Sequence, residues 1–282
     1  PTIATPQPTI ATPQPTITPT SAPTAAASSP IGPVTSAPPI ASVQHPARTA
    51  FVQLFEWRWA DVATECEQWL GPRGFAGIQV SPPQEHRLVD DGTNHFPWWQ
   101  RYQAVSYQIE SRSGSRAEFE DMTRRCAAVG VDIYVDTLVN HMSAGDGVGS
   151  AGTAFTKYRY PGLYNPPDFH ANVDPRHLNL LCDHSINDYG NPLEVRYCEL
   201  LGLADLRTEE PAVRDRIATY MADLYALGAR GYRLDAAKHV DPDELALLLD
   251  DLRAKLPADA RFFVVQEVVD DTGAQWKPDY YD

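Results

Sequence analysis

Charge is almost missing from the first 49 residues. Of the 23 basic and 37 acidic side chains in the 282-residue chain, that stretch holds only Arg48, beside twelve prolines. The remaining 282 − 49 = 233 residues carry 22 basic and 37 acidic groups, a formal charge of 22 − 37 = −15. A body this poor in basic charge speaks against nucleic acid, whose backbone is bound by clustered Lys and Arg. No apolar run approaches the roughly 20 residues of a membrane span. No Gly-rich phosphate loop follows the first β-rich segment, which weakens a dinucleotide-binding reading. Cysteine is sparse: Cys66, Cys126, Cys182 and Cys198, with no C-x-x-C pair, so neither a zinc nor a redox motif is indicated.

What the first stretch does have is Pro and Thr. The heptad PTIATPQ occurs twice and then degenerates through PTITPTSAPTAAASSP. Each proline fixes φ and removes a donor, and too few large apolar residues remain to build a core. Residues 1–48 therefore read as a semi-extended, disordered linker. It is either a plain spacer or a tether that holds a secreted domain at a cell surface. The expected location is extracellular or cell-surface. Cys182 and Cys198 flank a polar, loop-like stretch, and a disulfide there would contribute roughly 3 kcal/mol. Cys66 and Cys126 fall in predicted helices and read as buried thiols.

From residue 49 strands alternate with helices. TAFVQLF (49–55), GFAGIQVS (74–81), VDIYVDTL (131–138), GYRLDAA (231–237) and FFVVQEV (262–268) are the strands. Helices are predicted over 60–70, 116–130, 211–228 and 242–256. About 70 residues rich in Gly, Asn, Pro and Tyr follow the third strand. The alternation implies a parallel sheet, doubly wound or a (β/α)₈ TIM barrel. The polar residues of interest end strands three, four and five, where a barrel places its chemistry.

Strand alternation puts Arg233 and Asp235 on one face. The arginine favours the ionised acid, a plausible nucleophile; the alternative is a structural ion pair. Glu267 follows four apolar residues, an environment that suits a general acid, or it simply faces solvent. The two carboxylates suit glycoside hydrolysis. Asp136, Asn140 and His141 lie at the exit of strand three. A lone His there is more often a structural hydrogen-bonder, and the Asn oxygen suits a hard cation such as calcium. Trp98, Trp99 and Tyr102 form an aromatic cluster that would pack on sugar faces or form a satellite core.

Together these segments resemble the α-amylases, family 13 of the glycoside hydrolases, over roughly residues 50–282. DTLVNH (136–141), GYRLDAAKH (231–239), QEV (266–268) and GLADL (202–206) resemble its signatures in order. QLFEWRW, QVSPPQEH and PWWQRYQAVSYQI resemble the animal-type and actinobacterial branch most. The resemblance implies Asp235 as nucleophile and Glu267 as acid/base. Arg233 would hold the nucleophile ionised and bind chloride. Asp136 and His141 would support the cleavage site, and Lys238 and His239 the leaving-group side. Trp98, Trp99, Tyr102, Gln103 and Tyr189 would line the donor side. Calcium would be held by Asn140, Asp205 and the main-chain carbonyls of Arg196 and His239. It would pin an inserted loop domain (142–205) between two barrel parts (49–141 and 206–282). Cys182–Cys198 matches a disulfide of that insert. Glu110 stands where animal enzymes carry a cysteine, which leaves Cys66 without its usual partner.

The implied activity is retaining endo-hydrolysis of α-1,4-glucosidic bonds in starch, glycogen and maltooligosaccharides, by a monomer when full length. Alternatives are a transglycosylase or maltooligosaccharide-forming enzyme of the same family, or a non-catalytic glucan-binding fragment. The barrel is expected to be truncated after its fifth strand. The family's third catalytic acid would then lie beyond residue 282, and the chain alone would be poorly soluble or inactive.

Overall fold

The computed structural model describes residues 48–173 and 184–269. The expected linker, Arg48 apart, lies outside them. Five strands form one sheet: β1 (Phe51–Leu54), β2 (Gly77–Val80), β3 (Asp132–Leu138), β4 (Ala229–Asp235) and β5 (Phe263–Gln266). Every neighbouring pair is parallel, and the spatial order follows the chain order. A doubly wound sheet reverses its order at a switch point, and this one does not.

The sheet is strongly curled. Flat, its outer strands would lie roughly 19 Å apart at the usual inter-strand spacing. Instead the rings of Phe51 on β1 and Phe263 on β5 have centroids 6.4 Å apart. Tyr134 on β3 bridges them, at 5.5 Å from Phe51 and 5.4 Å from Phe263. That ring lies where its neighbours have no side chain. A Cβ on Gly77 would come 2.7 Å from it, and one on Gly231 2.6 Å. The inner face is thus an arc of a TIM barrel, filled by one large ring between two glycines.

Helices cover the outer face. α1 (Trp59–Glu65) continues as a wider turn over Cys66–Leu70, and α2 (Arg116–Ala128) packs against it. A capping box starts α2: the Ser115 side chain accepts from the Glu118 N–H while Glu118 reaches back to the Ser115 N–H. α3 (Pro192–Tyr197), α4 (Pro211–Ala226) and α5 (Pro242–Lys255) each begin with proline, whose missing donor costs nothing there. Val213, Ile217 and Leu224 of α4 and Leu245, Leu248 and Leu252 of α5 are buried in the core that backs the sheet.

Two expectations change. Cys66 and Cys126 are not thiols; they form a disulfide that ties the extension of α1 to α2. Two cysteines on adjacent helices meet once the helices pack, which the missing partner at Glu110 did not reveal. Arg48, counted with the linker, donates to the carbonyls of Phe75 (2.9 Å), Gly130 (2.7 Å) and Gly71 (3.3 Å). Cys198 is disulfide-bonded; its expected partner Cys182 lies outside the described residues. Among the described residues no helix is long and apolar enough to cross a membrane.

The long excursion between β3 and α4 is tied down where it leaves the sheet. Met142 N donates to Ala204 O and Leu206 N to Asn140 O, both at 2.9 Å, so the two ends of the excursion run side by side. Deeper in, Glu85 from the loop after β2 accepts from the N–H groups of Ala151 (3.1 Å) and Thr153 (3.0 Å).

Candidate active site

β3 and β4 run side by side, so Asp136 pairs in register with Arg233. Arg233 Nη1 donates to Asp136 Oδ1 at 2.6 Å and to Asp235 Oδ1 at 2.7 Å, and Nη2 pairs with Glu267 Oε1. One guanidinium therefore serves three carboxylates from three consecutive strand ends. Asp136 is fully buried and takes a second bond, from the Tyr102 hydroxyl at 2.7 Å. Glu267 lies just past β5 with a side chain 35% exposed, against 10% for Asp235 and 1% for Asp136. Its other oxygen accepts the Ala236 N–H at 2.9 Å. Ala236 holds a left-handed backbone (φ 52°), a conformation costly for alanine, directly after Asp235.

The expectation that Arg233 keeps Asp235 ionised does not hold in the free site. Burial pushes the Asp235 carboxyl up, to about 7, and the nearby Asp136 charge adds to this; Arg233 opposes both but is shared three ways. Asp136 is also raised, chiefly by burial. Burial and the sharing of one positive charge thus favour the protonated forms of Asp136 and Asp235.

These residues open into a cavity of about 490 Å³ lined by Trp98, Trp99, Tyr102, Gln103, His141, Arg233, Asp235 and Glu267. The aromatics stand on a 3₁₀ turn, Trp98–Tyr102. Arg101 anchors that turn through Glu56 (3.0 Å) and Ser113 (2.7 Å). His141 donates from Nε2 to the Tyr102 carbonyl at 3.0 Å; burial lowers its pKa to about 4, so the ring is neutral. Tyr189, Lys238 and His239 are not among the lining residues. Tyr189 is 39% exposed, and Lys238 and His239 are buried. Sequence reasoning did not single out Ala144, Leu200, Leu201, Leu203 and Ala236, which also line the cavity.

Among the described residues no group of three His, Cys, Asp or Glu converges as a metal site. The expected calcium donors are of another kind, one amide, one carboxylate and two main-chain carbonyls. The fold sets them in two pairs. His141 bridges to Asp205, which places Asn140 beside it, and His239 Nδ1 donates to Val195 O at 2.9 Å, next to Arg196. Asp205 Oδ1 is buried with no hydrogen-bond partner, an orphaned carboxyl oxygen that fits a cation. Its other oxygen takes His170 Nδ1 at 2.6 Å, a neighbour that no sequence signal flagged.

The α-amylase catalytic-domain model matches residues 69–262. The chain is 42% identical to an α-amylase of Thermomonospora curvata, over 89% of this chain and 41% of that protein. It is 45% identical to rat (Rattus norvegicus) pancreatic α-amylase, over 83% of this chain and 46% of that protein. The structure superposes with a TM-score of 0.77 on a variant of α-amylase I from Eisenia fetida solved with maltohexaose. That pair is 44% identical and the match covers 84% and 48% of the two chains. The chain thus spans less than half the length of these relatives. A curled, singly wound parallel sheet, three acids gathered by Arg233 at its strand ends, and these matches give one answer: the chain belongs to the α-amylase catalytic-domain family.

Proposed function

We propose that the protein hydrolyses internal α-1,4-glucosidic bonds of starch and related glucans with retention at the anomeric carbon. The observation that carries this is the sharing of Arg233 by Asp235 and Glu267 at the mouth of an aromatic-lined cavity. Two acids held on one guanidinium are in keeping with the roughly 5–5.5 Å separation of a retaining enzyme. Glu267, the most exposed of the three, protonates the glycosidic oxygen as that C–O bond breaks. Asp235 attacks the anomeric carbon and forms a glycosyl ester. Water then attacks the same carbon and gives its proton to Glu267, and the ester bond to Asp235 breaks.

Calcium held by Asn140, Asp205 and the carbonyls of Arg196 and His239 supplies a hard cation that cross-links the insert to the barrel. The orphaned Asp205 oxygen supports this choice. Chloride at Arg233 fits less well, since two guanidinium nitrogens already face three carboxylates, and no step passes through it. A secreted monomer is the proposed state, in keeping with the Cys66–Cys126 disulfide.

The test is Asp235→Asn and Glu267→Gln in the complete natural protein, with soluble starch and product chromatography. Each change is expected to cut turnover by at least about 10³-fold. Starch cleavage that survives either one refutes the assignment.

A further inference from the structure

Leu201 combines two unfavourable features at one point. It is 82% exposed, more than any other large apolar side chain among the described residues. It also holds a left-handed backbone, φ 53° and ψ 28°, which suits glycine or asparagine and not leucine. An exposed leucine alone needs no explanation. This one lines the cavity that contains Asp235 and Glu267.

Neither feature comes from a loose loop. Glu199 before it is buried and bound by the Lys157 ammonium at 2.7 Å, and Ala204 after it is buried. Leu203 N closes the turn on Leu200 O at 2.9 Å. Both flanks are fixed, so the outward aim of Leu201 is imposed by the fold. The segment also follows α3, which is joined to the stretch after β4 by the His239–Val195 bond and the Arg196–Asp241 ion pair. Leu200, Leu201 and Leu203 all line this one cavity. Trp98, 55% exposed, serves the same cavity from the aromatic turn.

We propose that Leu201 is a specificity-determining lip. It covers the apolar face of a glucose unit bound in the cavity and keeps water from that face. The proposal rests on the glucan-hydrolase reading and adds to it a residue whose strained backbone the fold holds in place before any sugar binds.

Binding of maltoheptaose, followed by tryptophan fluorescence in the Asp235→Asn background so that the sugar is not consumed, tests it. Leu201→Asn suits the left-handed backbone and removes the apolar contact, so Kd should rise about fivefold. Leu201→Met keeps the contact and should stay within about twofold. A Kd unchanged in the Asn variant, or raised equally in both, overturns the proposal. Binding without cleavage by the protein with Asp235 intact sinks the hydrolase reading and leaves the lip standing or falling on its own result. No binding in any variant overturns both.

Discussion

Removing the charge of the proposed nucleophile should make the protein more stable, and more so as pH rises. Asp235 is buried, and its carboxyl is raised from the usual 3.8 to about 7 by burial first and Asp136 second. Unfolded, it loses its proton near 3.8; folded, it keeps it until about 7. Between those values the folded state binds more protons, so stability falls as pH rises through the window and stays lower above it. The whole window corresponds to about 4 kcal/mol, and the part between pH 5 and pH 7 to about 2.7 kcal/mol. Asn keeps the shape and an oxygen for Arg233 but carries no charge. The stability advantage of Asp235→Asn over the parent should therefore be about 2.7 kcal/mol larger at pH 8 than at pH 5. Urea denaturation of both proteins at the two pH values measures it, because groups common to both cancel. An advantage that is constant, or that shrinks toward pH 8, refutes the reasoning that burial dominates at this site.

Two further outcomes follow from the framework. Replacing Cys66 and Cys126 together by Ser opens a link 60 residues apart in sequence and should cost about 4 kcal/mol in chemical denaturation; a loss under about 1 kcal/mol would show that helix packing alone holds α1 to α2. Chelation of calcium should lower the melting temperature by several degrees in the parent but not in Asp205→Asn, while equal response of the two would remove Asp205 from the donor set.

The strands were readable because each is a short apolar run between turn residues; the observed bounds fall inside the expected ones for all but β4, which starts two residues earlier, at Ala229. Asp136, Arg233, Asp235 and Glu267 were readable because strand ends in a parallel sheet converge by construction. What local pattern could not supply was contact across the fold. The Cys66–Cys126 link and the three carbonyls on Arg48 join segments distant in sequence. The pKa of Asp235 was misjudged for a related reason. Spacing shows that Arg233 is near, but only the packed sheet shows that Asp136 and Glu267 claim the same guanidinium. The place of Leu200, Leu201 and Leu203 in the cavity wall depends on how the turn is held.

The Tyr134 ring between Gly77 and Gly231 also bears on how this sheet can vary. Three positions on three strands share one volume, so none is free to change by itself. A methyl group gained at either glycine meets the ring, and a smaller side chain at 134 leaves a void that the glycines cannot fill. Acceptable sequences at these sites are therefore correlated: growth on β2 or β4 is tolerated only with shrinkage on β3. The inner layer of the barrel behaves as a single three-residue locus, and its history should be written in paired substitutions across strands.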